Sequence, residues 1–247
     1  MGRILGFMYG VVSYLLFLVA FLYAIGFVGN IIVAKSIDTG VETPFATALI
    51  INIVLLGLFA VQHNVMARPW FKKWWVRFVP QHLERSTFVL FASLLLIALY
   101  WQWRPMLGVV WNVENTIGRY ILEALFWIGW LTVLLSTFMI NHFDLFGLRQ
   151  VLLHLRGEPN KPIEFKTSGL YKLVRHPLML GFIVAFWATP TMTNGHLLFA
   201  IVTTVWILIS IQFEERDLVK FHGKEYEVYR KQTSMILPIP KKHRDDN

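Results

Sequence analysis

Long apolar stretches constrain this chain more than any other feature. Leu5 to Gly29, Pro44 to Met66, Ser86 to Trp103 and Arg119 to Asn141 each approach or exceed the roughly 20 residues that cross about 30 Å of hydrocarbon as a helix. A polar segment, Phe143 to Val174, follows. The apolar sequence then resumes at Pro177 and runs to Phe213, broken by T-P-T-M-T-N-G-H between Thr189 and His196. Pro190 and the Asn194-Gly195 pair punctuate that break as the turn of a helical hairpin, and the first arm is short for a full crossing. The reading is an all-α integral membrane protein with about five to six transmembrane helices, the last ones forming a C-terminal hairpin, and a cytoplasmic cap.

Composition removes several function classes. With 56% hydrophobic and 15% charged residues in 247, the chain has the statistics of a multi-span helical protein. The absence of cysteine excludes disulfides, thiolate zinc sites, iron–sulfur clusters and a cysteine nucleophile. A formal charge of +8 raises nucleic acid as a partner, but the basic residues lie in loops beside apolar spans, where lipid headgroups and topology explain them. Asn30 to Thr43 and Pro105 to Gly118 hold a single basic residue, Lys35, whereas Met66 to Arg85 holds Arg68, Lys72, Lys73, Arg77 and Arg85. The positive-inside rule therefore puts the second loop, the fourth loop and both termini in the cytoplasm. The first span is too long for a signal-peptide core and reads as retained. One membrane domain results: a four-helix part over 1–142, a loop over 143–176, a hairpin over 177–213 and a cap over 214–247. The expected location is a bacterial inner membrane, with lipids as neighbours.

The most pointed local sequence is T-S-G-L-Y-K-L-V-R-H-P, which sets Arg175, His176 and Pro177 at the membrane edge. Proline suits the first position of a helix, so the residues before it surround that helix's positive end. Backbone N–H groups, Arg175 and a protonated His176 are suited there to hold a carboxylate or phosphate. Snorkelling alone would also place an arginine at this depth. Glu214 and Glu215 return to the same depth at the end of the last apolar arm, Gly223 is placed to end that helix, and Tyr226 and Tyr229 share a face of the next turn.

G-L-Y-x-x-V-R-H-P over Gly169 to Pro177, E-E-x-x-L over Glu214 to Leu218 and G-x-x-Y-x-x-Y over Gly223 to Tyr229 occur in that order. Together they resemble the membrane methyltransferases typified by isoprenylcysteine carboxyl methyltransferase and the phospholipid methyltransferases. That resemblance implies S-adenosylmethionine as cofactor. It also implies that Tyr171, Arg175, His176 and Pro177, with Gly181 on the following helix, form one side of the cofactor site. Glu214, Glu215 and Tyr226 would form the other. One position departs from the pattern: Met179 stands where the family often has tyrosine. The earlier part of the chain is similar to the nurim family, in particular its bacterial methanethiol S-methyltransferases, through F-A-V-Q-H-N-V-M-A-R-P-W-F-K-K-W-W, E-R-S-T-F-V-L-F-A-S-L, W-Q-W-R-P and N-H-F-D-L-F-G-L-R-Q-V. The implied reaction is methyl transfer to a small volatile thiol, methanethiol to dimethyl sulfide. Lipid or prenyl-cysteine methylation, or a non-catalytic role like that of nurim at the nuclear envelope, are the alternatives.

Thiol methylation sets its own requirements. In-line attack of a thiolate on a sulfonium methyl cancels two charges, which a dry pocket favours. The same dryness opposes thiolate formation, because a model cysteine already has a pKa of about 8.5 and burial raises it. A base or a fixed cation near the sulfur is therefore needed. His142 with Asp144, directly after the fourth span, is the expected base and its orienting carboxylate; the competing reading gives His142 to the helix end and Asp144 to Arg149. Gln62 and His63 end the second span at a similar depth, suited either to substrate or to each other. Tyr9 near the start of the first span can present its ring to the sulfonium or its hydroxyl to a partner. Trp70, Trp74 and Trp75 beside Lys72 and Lys73 read as an interfacial belt. No metal is expected, since the 8 histidines include no close ligand spacing.

Overall fold

The computed structural model describes residues 2–160 and 167–239. Among them, five helices are long and apolar enough to cross a membrane: α1 (Gly2–Gly29), α2 (Phe45–Ala67), α4 (Gln81–Gln102), α5 (Thr116–Ile140) and α9 (Asn194–His222). Between them lie α3 (Pro69–Trp75), α6 (His142–Leu145), α7 (Leu148–Arg156), a short 3₁₀ turn (Gly169–Lys172) and α8 (Pro177–Trp187); α10 (Lys224–Gln232) closes the order. Large apolar side chains such as Leu15, Leu22, Ile50, Leu131 and Ile209 are exposed along these helices, as lipid-facing surfaces require.

The predicted spans match the helices apart from their ends. α4 starts at Gln81 rather than Ser86, because backbone hydrogen bonding carries the helix through Glu84 and Arg85, which hydropathy cannot see. α8 has 11 residues, about 16 Å of rise, and so does not cross. It is nevertheless tightly held: Gly129 of α5 and Gly181 of α8 face each other, and a Cβ on Gly181 would lie 2.7 Å from the Gly129 carbonyl oxygen. Only glycine permits that backbone approach, the usual way two membrane helices gain contact without a hydrophobic drive.

The hairpin break contains β structure that the sequence reading missed. β1 (Val109–Asn112) pairs antiparallel with β2 (Thr191–Thr193), joining the α4–α5 connection to the α8–α9 turn. Thr193 then caps α9 by accepting from the His196 N–H at 3.1 Å, and its hydroxyl donates to Asp38 at 2.6 Å. At the same end Asn52 brackets Arg104, donating to its carbonyl at 2.7 Å and accepting its N–H at 2.9 Å. The main core lies below, built from Phe27, Tyr100, Trp103, Phe126, Trp130 and Phe199. The other end of the bundle carries Arg68, Lys72, Arg85, α10 and the R-H-P segment.

Candidate active site

α9 ends at His222 because Gly223 takes φ 58, turning the chain into α10 as its sequence position suggested. α10 then leads Ser234 back beside Val174 in a parallel bridge. Backbone bonds from Arg175 N–H to the Ser234 carbonyl (2.8 Å) and from His176 N–H to the Met235 carbonyl (3.1 Å) fix the R-H-P segment against the tail. Pro177 is the first residue of α8, as expected.

In this frame Arg175 and Glu215 form a buried ion pair. The arginine Nε and one terminal nitrogen both lie 2.7 Å from Glu215 Oε1. The other terminal nitrogen donates to the carbonyls of Arg230, at 3.0 Å, and Thr233. His176 Nε2 stands 3.1 Å from the same Glu215 oxygen, while its Nδ1 is 3.8 Å from Glu214. All three guanidinium nitrogens are thus engaged by the protein itself, and the anion at the helix start is an internal carboxylate, Glu215. Gly181 is taken up in helix packing, and Met179 packs with Ile207, Ile211 and Ile236. Tyr229 donates to the Tyr171 carbonyl at 2.5 Å and meets Tyr226 ring to ring. Burial pushes all three phenols up, Tyr229 to about 12, so they are neutral at physiological pH. Glu214, with a side chain 44% exposed, is the carboxylate of this group that remains open.

His142 is buried at the end of α5 in a different partnership from the one expected. Thr137 gives its only proton to the Leu134 carbonyl (2.7 Å), so at 2.9 Å from His142 Nδ1 its oxygen must accept. Nδ1 therefore carries the hydrogen, Nε2 presents the lone pair, and the Tyr14 hydroxyl donates to Nε2 at 2.8 Å. Phe138 stacks on the ring at 4.3 Å, and burial lowers the imidazole pKa. Asp144 is not the orienting carboxylate: it binds Arg149 at 2.9 Å and Gln150 at 3.2 Å. Tyr14 was not foreseen, since a tyrosine inside an apolar span belongs to no motif. Its one signal is a hydroxyl that hydrocarbon leaves unsatisfied. The 3₁₀ turn reaches this region through Leu170, whose N–H lies 3.4 Å from Met139 Sδ.

A third group lies between α2, α4 and α9. His63 packs against Phe59, Phe88 and Trp206, its ring 5.0 Å from that of Phe88. Gln62 donates to Met66 Sδ at 3.1 Å, so the two residues do not satisfy each other. Gln62 Oε1, His63 Nδ1 and Trp206 Nε1 are buried without a hydrogen-bond partner among the described residues, a cost of about 1–3 kcal/mol each that a polar ligand would relieve. Tyr9 takes the bland alternative, donating to Thr87 at 3.0 Å. Phe17 and Phe146, stacked at 3.8 Å, connect this aromatic wall to His142. Cavities of about 390 and 160 Å³ open at the opposite, β1–β2 end, lined by Arg119, Glu123 and Pro190 or by Glu42, Pro105 and Asn194, away from all these groups. No cluster of three or more metal-ligating His, Asp or Glu occurs among the described residues.

The comparisons agree with the three motif blocks and extend beyond them. The phospholipid methyltransferase family model matches residues 119–225. The methanethiol S-methyltransferase of Mycobacterium tuberculosis is 59% identical over 98% of this chain and 100% of its own length. That of Crocosphaera subtropica is 52% identical over 94% of this chain and 91% of its own. Mouse nurim is 28% identical over 68% of this chain and 66% of its own. No solved structure matches the chain. On this full-length similarity, the chain is a methyltransferase and belongs to the family of the methanethiol S-methyltransferases.

Proposed function

We propose that the protein methylates methanethiol to dimethyl sulfide with S-adenosylmethionine as methyl donor. The full-length similarity to named methanethiol S-methyltransferases carries the reading. The basic end, with its Arg68, Lys72 and Arg85, is cytoplasmic by the positive-inside rule, which makes the donor accessible in a bacterial inner membrane. The residues there fit such a donor: an open carboxylate at Glu214, neutral Tyr171 and Tyr226 beside it, and polar atoms at Gln62 Oε1 and His63 Nδ1 that have no partner among the described residues. Arg175 and His176, both bound to Glu215, hold this wall in shape as an internal cluster of three, with Pro177 starting the helix that carries Gly181.

S-adenosylmethionine, when bound, supplies a methyl group on a sulfonium cation, and in-line attack by a thiolate discharges both charges as the transition state forms. The proton must leave the thiol first. Tyr14 is placed to accept it from sulfur while passing its own to His142 Nε2, so the histidine is the base and the tyrosine its relay. Thr137 keeps the imidazole in the tautomer that can receive it. Phe138 and Phe146 exclude water around the ring. Asp144 serves by fixing Arg149 and Gln150 at the start of α7.

Purified protein incubated with labelled S-adenosylmethionine and, separately, methanethiol, a prenylated cysteine or phosphatidylethanolamine tests the reading. Label transfer to methanethiol is expected. Transfer to either lipid substrate instead, or to none, overturns it.

A further inference from the structure

The basic end holds a cation that its carboxylates leave unpaired. Arg85, in the first turns of α4, makes one hydrogen bond among the described residues, Nε to the Leu145 carbonyl at 2.6 Å. Its guanidinium lies over the Phe88 ring at 4.8 Å, and Phe88 touches His63. The two terminal nitrogens have no hydrogen-bond or ion-pair partner among the described residues. Nearby charges are otherwise engaged: Arg68 is bound to Asp217 at 2.8 Å and Asp144 to Arg149 at 2.9 Å. Glu84, Asp144 and Glu214 act on Arg85 only through space, and Arg68, Lys72 and Arg85 crowd the same corner as like charges. Among the described residues these three cations share one direct ion pair, Arg68–Asp217, and Glu84 and Glu214 act on Arg85 from a distance without contacting its terminal nitrogens.

We infer that the free edge of Arg85 is the anion-binding group of this site, taking either the carboxylate of the methyl donor or the thiolate sulfur of the substrate. The inference rests on the methyl-transfer reading. Arg175 is the more committed guanidinium, with all three nitrogens engaged by Glu215 and two carbonyls. A guanidinium stacked on a ring and tied at Nε is held in one orientation, and its terminal fork suits a carboxylate or a soft anion. The sequence marked Arg85 as a topological charge and as part of the E-R-S-T-F block, and gave it no place in the site.

The test compares wild type with Arg85→Met in the full-length purified protein. Binding of S-adenosylmethionine and of its decarboxylated analogue is measured by calorimetry. Turnover is measured with methanethiol and with the more acidic trifluoroethanethiol from about pH 6 to about 9. If Arg85 holds the carboxylate, the variant binds S-adenosylmethionine roughly 10- to 100-fold more weakly while the decarboxylated analogue loses nothing. If it holds the thiolate, donor affinity is kept and turnover of methanethiol falls by a similar factor, recovering with rising pH and less affected for the acidic thiol. Unchanged affinity together with unchanged turnover overturns the inference. So does a loss of turnover that is equal for both thiols and does not recover with pH. Arg85→Gln takes the place of the methionine variant if that does not elute as folded protein. A wild type that fails to methylate methanethiol rejects the underlying reading instead, independently of either variant.

Discussion

The Tyr14 hydroxyl lies 2.8 Å from His142 Nε2, and because Thr137 forces the hydrogen onto Nδ1, the tyrosine is the donor. This bond favours the neutral imidazole, and burial acts in the same direction, lowering the His142 pKa. The sign for activity follows. A base with a depressed pKa stays unprotonated as pH falls through the ordinary histidine range near 6.5, so wild-type turnover should persist below it. Tyr14→Phe removes the donor, lets the imidazole hold its proton more tightly and should move the acid limb of the pH–rate profile upward. His142→Ala should lower neutral-pH turnover by roughly 10²- to 10⁴-fold with donor affinity unchanged, and recover rate as rising pH supplies thiolate from solution. A His142→Ala profile that remains flat at high pH assigns the residue to structure alone.

The same depression bears on stability. In the unfolded chain His142 binds its proton near pH 6.5, whereas in the fold it binds only at lower pH, so protonation favours unfolding across that window. Its share of stability is complete above about pH 6.5 and is lost as pH falls toward the folded value. Thermal melting in detergent should therefore drop less on acidification in His142→Gln than in wild type, and an equal drop removes His142 as a contributor.

Arg175 and Glu214 should separate by what their loss does. Arg175→Ala leaves Glu215 buried with only His176 to compensate it, a change that costs about 3–5 kcal/mol. Its melting temperature should fall, and donor binding should weaken with it. Glu214→Ala removes a half-open carboxylate whose one buried neighbour, His176 at 3.8 Å, is also held by Glu215, so donor affinity should fall while melting stays closer to wild type than in Arg175→Ala. Melting and calorimetry on the same preparations decide this. Identical behaviour of the two variants would show that one acid pair, not two roles, is at work.

Much of this architecture is legible before any coordinates. Runs of apolar residues locate the spans because hydrocarbon tolerates little else, and Pro177 and Gly223 mark helix ends by backbone chemistry that any context shares. Rotation about a helix axis is harder to read. Glu214 and Glu215 share a depth, yet about 100° of helical turn directs one to Arg175 and leaves the other open, and sequence treats them alike. Asp144 next to His142 suggests a dyad in one dimension, but the short α6 carries its carboxylate toward Arg149. β1 and β2 escaped because strands of 4 and 3 residues gain their pairing from a contact made across about eighty positions of chain, which local pattern does not encode.

Gly181 offers a test of packing independent of chemistry. Its added Cβ would meet the Gly129 carbonyl at 2.7 Å and Val133 at 2.9 Å, contacts with backbone that cannot yield cheaply. Gly181→Leu should push α8 from α5 and displace the R-H-P segment that begins it, lowering melting temperature and donor affinity together. Gly57, whose Cβ meets nothing within 4 Å, provides the control, and Gly57→Leu should leave both unchanged. Equal stability of the two variants would mean that α8 is not held by this contact.

The aromatic wall should set the size of the thiol. Phe17 and Phe146 stack at 3.8 Å between His142 and the Met66–Phe88 cluster, and the Tyr9–Thr87 bond ties α1 to α4 beside them, leaving a substrate little room for a chain. A longer alkanethiol would gain about 0.8 kcal/mol per buried methylene in an open apolar channel, so discrimination against it must come from steric closure rather than from weak attraction. Methanethiol should accordingly turn over far faster than hexanethiol in wild type. Phe17→Ala removes one member of the stack and a ring neighbour of Tyr14 at 6.1 Å while leaving the Tyr14–His142 bond and the Arg175 pair in place, and should raise kcat/KM for hexanethiol while lowering it for methanethiol, whose positioning loosens. Comparable wild-type rates with the two thiols would mean that the pocket opens along the bilayer. A Phe17→Ala variant with unaltered preference would move the size filter elsewhere, with the unpartnered His63 and Trp206 as its nearest remaining wall.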